Sequence, residues 1–239
     1  MRHHWLPRNR SERYGENTMA TTEPQTENPG RARILERLRT ALRESTPRPL
    51  GAEGRTIFAP VTDVMARFQK ECAANITECI VTPDLQASGR AVTDVLAALP
   101  PGEIFVQDSP TLRRLAPEWQ EVRSIQWSSE GGPKESAQAT ITMAEALVAL
   151  TGSVLVSASC GGRGASVVAP VHIVVASADQ LVPDLDAAFA LMRERNTAFQ
   201  NSYVCLITGS SRTADIEKIL VMGAHGPIRL IVVLAMRHD

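Results

Sequence analysis

Residues 209–217, GSSRTADIE, set Gly209, Ser210, Ser211, Arg212, Thr213, Asp215 and Glu217 directly behind the apolar run YVCLITG. If that run is a buried strand and a helix starts near Ser211, the turn offers hydroxyls and free backbone N–H groups at a helix N-terminus, which suits an anion. Arg212 lies one turn before Ile216, on the face carrying Ile216, Ile219 and Leu220, so its forked guanidinium is expected to point inward toward a carboxylate or phosphate. Asp215 and Glu217 complement the helix dipole, and Asp215 is also placed to orient Arg212. Ser211 equally reads as a plain helix cap, with Arg212 paired to a nearby carboxylate.

Downstream, MGAHGPIRL gives a helix stop at Gly223 and then His225 in a loop closed by Gly226 and Pro227. His225 is a candidate general acid or base, or a loop residue bonded to backbone. Upstream, GGRGAS supplies Gly162 and Arg163 but neither the GxGxxG spacing of a dinucleotide turn nor a phosphate-loop GKS. It reads as a weaker phosphate contact or a plain connection. His172, in PVHIVV, reads as a core or strand-start residue. Cys72, Cys79, Cys160 and Cys205 sit singly in apolar surroundings, without metal-site spacing, and read as reduced core thiols. No metal site is expected.

The elements that must position these residues alternate along the chain. Its 239 residues suffice for one large α/β domain or two small ones, and such a size buries roughly 70% of the unfolded surface. With 25 basic and 26 acidic side chains the net charge is -1, so bulk attraction to nucleic acid or an anionic membrane has no support and any charge recognition must be local. No apolar stretch reaches the ~20 residues of a spanning helix, and MRHHWLPRNR lacks the apolar core of a signal peptide. The expected compartment is the cytoplasm.

Residues 1–29 are polar and read as a disordered tail, with Met1 and Met19 both possible starts. Residues 30–239 read as the domain. RARILERLRTALRES is an amphipathic helix. VTDVMARFQKECAAN, DLQASGRAVTDVLAAL, SPTLRRLA, AQATITMAEAL and VPDLDAAFALMRERN read as further helices. ECIVT, EIFVQD, EVRSIQW, VHIVVAS, YVCLITG and IRLIVVL read as strands of a mostly parallel sheet. ALVALTGSVLVSAS reads as a hairpin.

SSRTADIEKILVMGAHGP, together with GRGASVVAPVHIVV and SADQLVPDL, closely resembles the carboxyl-terminal signature of the lactate utilization protein C family, the LUD domain. The usual form of that signature is GPSRTADIE, then GVHGP, with PPVHI earlier. The resemblance implies a fold similar to the sugar-isomerase and coenzyme A transferase superfamily. It also implies a cytoplasmic part in oxidising L-lactate to pyruvate beside two partner proteins. Those partners hold the iron–sulfur clusters; no cofactor is expected in this chain. By the same resemblance Ser211, Arg212, Thr213, Asp215 and Glu217 match SRTADIE, and Gly223, His225, Gly226 and Pro227 match GVHGP. Gly162, Arg163, Pro170, Val171 and His172 match the upstream block.

The chain also departs from that pattern. Leu150 stands where relatives carry a glutamate in AETGT, and Ser153 where they carry threonine; Ser210 and Ala169 each replace a usual proline. Three functions stay open: a lactate-oxidation subunit binding a small anion near Arg212, with His225 and Asp215 as catalytic candidates; a stand-alone enzyme of acyl-transfer or isomerase type; and a scaffold or regulatory partner docking through Ala214 and Val221 on the outer helix face.

Overall fold

The computed structural model describes residues 29–43, 58–131, 134–195, 202–213, 221–222 and 226–237. Of the expected tail at 1–29, residues 1–28 lie outside these, and Pro29 is the first residue of α1. Helix α1 (Pro29–Arg43) is where the first amphipathic pattern places it and belongs to a unit of its own; the remainder, from Phe58 on, forms a second unit.

In that second unit the order is α2 (Val64–Ala74), β1 (Thr77–Thr82), α3 (Leu85–Ala97), β2 (Ile104–Val106), α4 (Pro110–Gln120) and β3 (Ile125–Trp127). Then follow β4 (Ala139–Met143), β5 (Ala146–Val148), β6 (Ser153–Ser157), β7 (Val171–Ser177), β8 (Leu181–Val182) and α5 (Leu185–Glu194). The chain closes with β9 (Val204–Ile207), β10 (Arg212–Thr213), β11 (Val221–Met222) and β12 (Arg229–Ala235). Helices α2, α3, α4 and α5 start alike: the side chains of Asp63, Asp84, Ser109 and Asp184 accept the N–H three residues on, at 2.9, 2.7, 3.2 and 2.8 Å.

The principal sheet is parallel throughout, in the order β1-β12-β7-β4-β2-β3. The near-continuous apolar runs of β7 and β12 mark strands covered on both faces. One face, with Ile231, Val233, Ile173, Val175 and Ile141, packs on Val92 and Leu96 of α3 and on Leu112, Leu115 and Trp119 of α4. The other, with Leu230, Val232, Leu234 and Val174, packs on Phe68 and Cys72 of α2 and on a second sheet, β8-β5-β6-β9.

Three expectations are corrected. AQATITMAEAL is not a helix: Thr140, Ile141 and Thr142 are β-branched and stiff, and the segment pairs with β2 and β7 as a central strand. YVCLITG is not in the parallel sheet; β9 runs antiparallel to β6 in the second one. No helix begins at Ser211, because Arg212 and Thr213 pair with Met222 and Val221 across a short antiparallel ladder. Val221 is therefore on a strand, not on an outer helix face, and Ala214 lies outside the described residues. The hairpin is present: β5 and β6 are antiparallel, and Gly152 turns between them at φ 62, where a Cβ would come within 2.6 Å of the Glu71 carbonyl carbon.

Candidate functional site at the amino edge of the sheet

Asn75 ends α2, and Ile76, with φ 58, turns the chain into β1. A β-branched residue in the left-handed region is costly and persists only where its surroundings hold it. Here they do: the Ser210 hydroxyl donates to the Ile76 carbonyl at 3.0 Å. Gly209 packs so closely that a Cβ would lie 2.2 Å from the Asn75 carbonyl oxygen, and its φ of 82 also favours glycine. The Asn75 side chain reaches two ways. Nδ2 donates to the Thr151 carbonyl at 3.0 Å, and Oδ1 accepts from Arg212 Nη2 at 3.4 Å.

Around this asparagine three separate sequence blocks meet. The hairpin tip is held by Arg67, which donates to the Leu150 carbonyl at 3.2 Å, and Ser153 Oγ lies 2.7 Å from both Thr151 Oγ1 and Thr208 Oγ1. Ser211 N donates to the Pro227 carbonyl at 2.8 Å, and Gly226 lies against the Ser211 side chain. Leu150, in place of the glutamate common in the resembling family, therefore belongs to the same rim as Ser210–Arg212 and Gly226–Pro227. Asn75 was missed because nothing in ECAANIT marks it beyond an ordinary helix end.

This rim is at the amino end of the parallel strands: Asn75 precedes β1, Pro227 precedes β12, and Pro170, whose carbonyl accepts from Ile228 N at 2.8 Å, precedes β7. The expected crevice at the carboxyl end of a parallel strand is thus corrected. So is the inward guanidinium: Arg212 is exposed. The Ser210 hydroxyl and Ser211 N–H, expected to face a ligand, are taken up by Ile76 and Pro227. Asp215, Glu217, Gly223 and His225 lie outside the described residues.

Gly162 and Arg163 are at the opposite edge. Arg163 Nη2 donates to Ser202 Oγ at 3.1 Å, just before β9, whereas Gly209 follows β9. At about 3.3 Å per strand residue the two groups are roughly 20 Å apart. The GGRGAS loop, read as a weaker phosphate contact or a plain connection, lies at the carboxyl edge, away from Arg212.

That edge carries its own polar cluster. Gln107, at the end of β2, donates to the Ser159 carbonyl at 3.0 Å and accepts from Met143 N at 2.7 Å, joining the ends of β2 and β4. The chain leaves β2 outward to β3 and leaves β4 inward to β7, so this is the topological switch point of the sheet. Buried Glu145 accepts from Ser157 Oγ at 2.5 Å and from Cys160 Sγ at 3.8 Å. Burial pushes the Cys160 thiol up to about 11, so it is a packed thiol, not an activated nucleophile. Sequence reading passed over Glu145 and Gln107 because neither sits in a recognisable motif.

His172 is fully buried, with Nε2 2.9 Å from Thr142 Oγ1 and Nδ1 lacking a hydrogen-bond partner; burial lowers it to about 4, so it is neutral. That matches a core histidine. Cys72 and Cys79, expected to stand singly, face each other from α2 and β1, and their mutual interaction raises the first and lowers the second, while the Cys72 thiol donates to the Gly152 carbonyl at 4.0 Å. Among the described residues no helix is long and apolar enough to cross a membrane.

Residues 134–235 match the LUD domain family model. Over 192 residues the chain is 29% identical to the lactate utilization protein C of Geobacillus thermodenitrificans, covering 73% of this chain and 80% of that one. Over 190 residues it is 26% identical to the protein of the same name from Bacillus subtilis, covering 72% and 78%. A solved DUF162 family protein from Deinococcus radiodurans superposes with a TM-score of 0.55 at 18% identity, over 72% of this chain and 96% of that one. The last likeness establishes the α/β fold.

Proposed function

We propose that this chain, a LUD-domain protein of the lactate utilization protein C family, takes part in lactate utilization. In this reading it works in the cytoplasm beside iron–sulfur proteins that oxidise L-lactate to pyruvate, and it contributes no cluster itself. The similarity to lactate utilization protein C over four-fifths of a relative's length carries the proposal.

Its working surface is the Asn75 rim, and its ligand a small anion such as a carboxylate. Arg212 is exposed there, and among the described residues its hydrogen-bond partner is Asn75, at a long 3.4 Å, leaving most of the forked donor for a ligand. Ser210, Ser211, Gly209 and Thr213 shape the backbone that presents it, and Asp215 and His225, which lie outside the described residues, are the catalytic candidates proposed from the sequence. Arg163 and Gly162, at the far edge, serve a different place.

Arg212→Ala, expressed in a host lacking its own copy, is expected to abolish growth on L-lactate while leaving the melting temperature within about a degree, since the side chain is exposed. Normal growth with that variant would remove Arg212 from the function.

A second reading, a stand-alone acyl-transfer or isomerase-type enzyme, is favoured by one observation: the buried Glu145 carboxylate stands at the switch point, where open α/β sheets bind ligands. Turnover of a coenzyme A ester or sugar phosphate, lost in Glu145→Gln, would establish it; a screen without turnover would set it aside.

A further inference from the structure

We propose that α1 is an interfacial anchor that lays an aliphatic stripe onto an anionic lipid surface. Ile34, Leu38 and Leu42 recur every fourth residue and are 60, 54 and 81% exposed. At 100° per residue they form, with Leu35 and Ala41, a stripe about 120° wide. A soluble helix normally buries such a stripe.

Charge identifies the occupant. α1 carries Arg31, Arg33, Arg37, Arg39 and Arg43 against Glu36 alone, a charge of +4 in a chain whose total is -1. The single acid pairs with Arg39 at 3.7 Å, in an exposed and therefore weak bridge. Arg37 borders one side of the stripe and Arg39 the other. A flat surface that is negative everywhere meets both borders at once, and long arginine stems let the charge stay in the headgroup layer while the leucines go deeper. Its apolar members are all aliphatic, and Arg31 enters the same arc at the first turn, where its stem lies along the leucines and its charge can stay among the headgroups. The remaining residues sum to -5, so α1 is the segment drawn to such a surface while the rest is repelled.

The anchor is independent of the proposed role in lactate utilization. It is tested with the full chain and sedimentable vesicles of phosphatidylcholine, with or without phosphatidylglycerol. The wild type is expected to co-sediment with the anionic vesicles only, and to be released by salt. Leu38→Glu is expected to lower the bound fraction more than about tenfold, by loss of a buried leucine. Replacing Arg33 or Arg37 by Gln is expected to lower affinity about fivefold each. Unchanged melting temperatures in these exposed-site variants verify the fold. Equal binding to neutral vesicles, no binding to either, or binding indifferent to Leu38→Glu would overturn the anchor. So would self-association that Leu38→Glu abolishes without any vesicle binding, which assigns the stripe to a second copy.

Discussion

At Gly209 two independent constraints meet, a φ of 82 and a backbone oxygen 2.2 Å from where a Cβ would sit. The neighbour is the Asn75 carbonyl, which a side-chain rotation cannot move aside. Gly209→Ala is therefore expected to destabilise the fold by about 2–4 kcal/mol, through strain at a special backbone position and a forced shift of the α2–β1 turn. Urea unfolding measures this; a loss below about 0.5 kcal/mol would mean that the turn yields freely. Sequence marked Gly209 as a tight turn for an anion and placed Arg212 inward beside it. What it could not carry is the partner. Asn75 and Ile76 lie more than 130 residues upstream, and their approach to Ser210 follows from the antiparallel course of β9 beside β6, which no local pattern encodes.

At the scale of elements, legibility follows how far the deciding interaction lies along the chain. β7 and β12 are apolar at nearly every covered position, and hairpin β5–β6 turns on a glycine, so both could be read locally. The segment around β4 has helix-compatible alanines and a methionine, and only its place between β2 and β7 makes it a strand. The Ser211 region has a helix-start signature, yet Arg212 and Thr213 find strand partners at Met222 and Val221. Asn75 ties that ladder's first residue to the hairpin tip, through Arg212 and Thr151. Asn75→Ala removes both bonds and is expected to cost about 1–2 kcal/mol. The cost should be local. Amide hydrogen exchange should quicken at residues 149–153 and 209–213 and stay unchanged in β7 and β12. Uniform quickening throughout the sheet would show that Asn75 supports the whole core instead.

Across the whole molecule the two polar clusters, Asn75–Arg212 at the amino edge and Gln107–Glu145 at the carboxyl edge, are bridged by a sheet that holds His172 in its interior. That histidine links global stability to pH. Its folded value is lowered from 6.5 to about 4 by burial, so between those values the unfolded chain binds the extra proton. The neutral form's contribution is complete above about pH 6.5 and is lost as pH falls toward 4, on the order of 3 kcal/mol in all. Asp108 acts in a lower window. Held down to about 2 by the Arg113 guanidinium and the Ser129 hydroxyl, it loses its contribution only as pH falls below about 3.8. Unfolding free energy measured by urea from pH 7.5 to 4.5 should therefore decline along a slope that His172→Gln flattens, while Asp108→Asn leaves that slope in place. A slope unaltered by His172→Gln would place the titrating group elsewhere, and the buried imidazole would then be a packing residue without a part in the pH response.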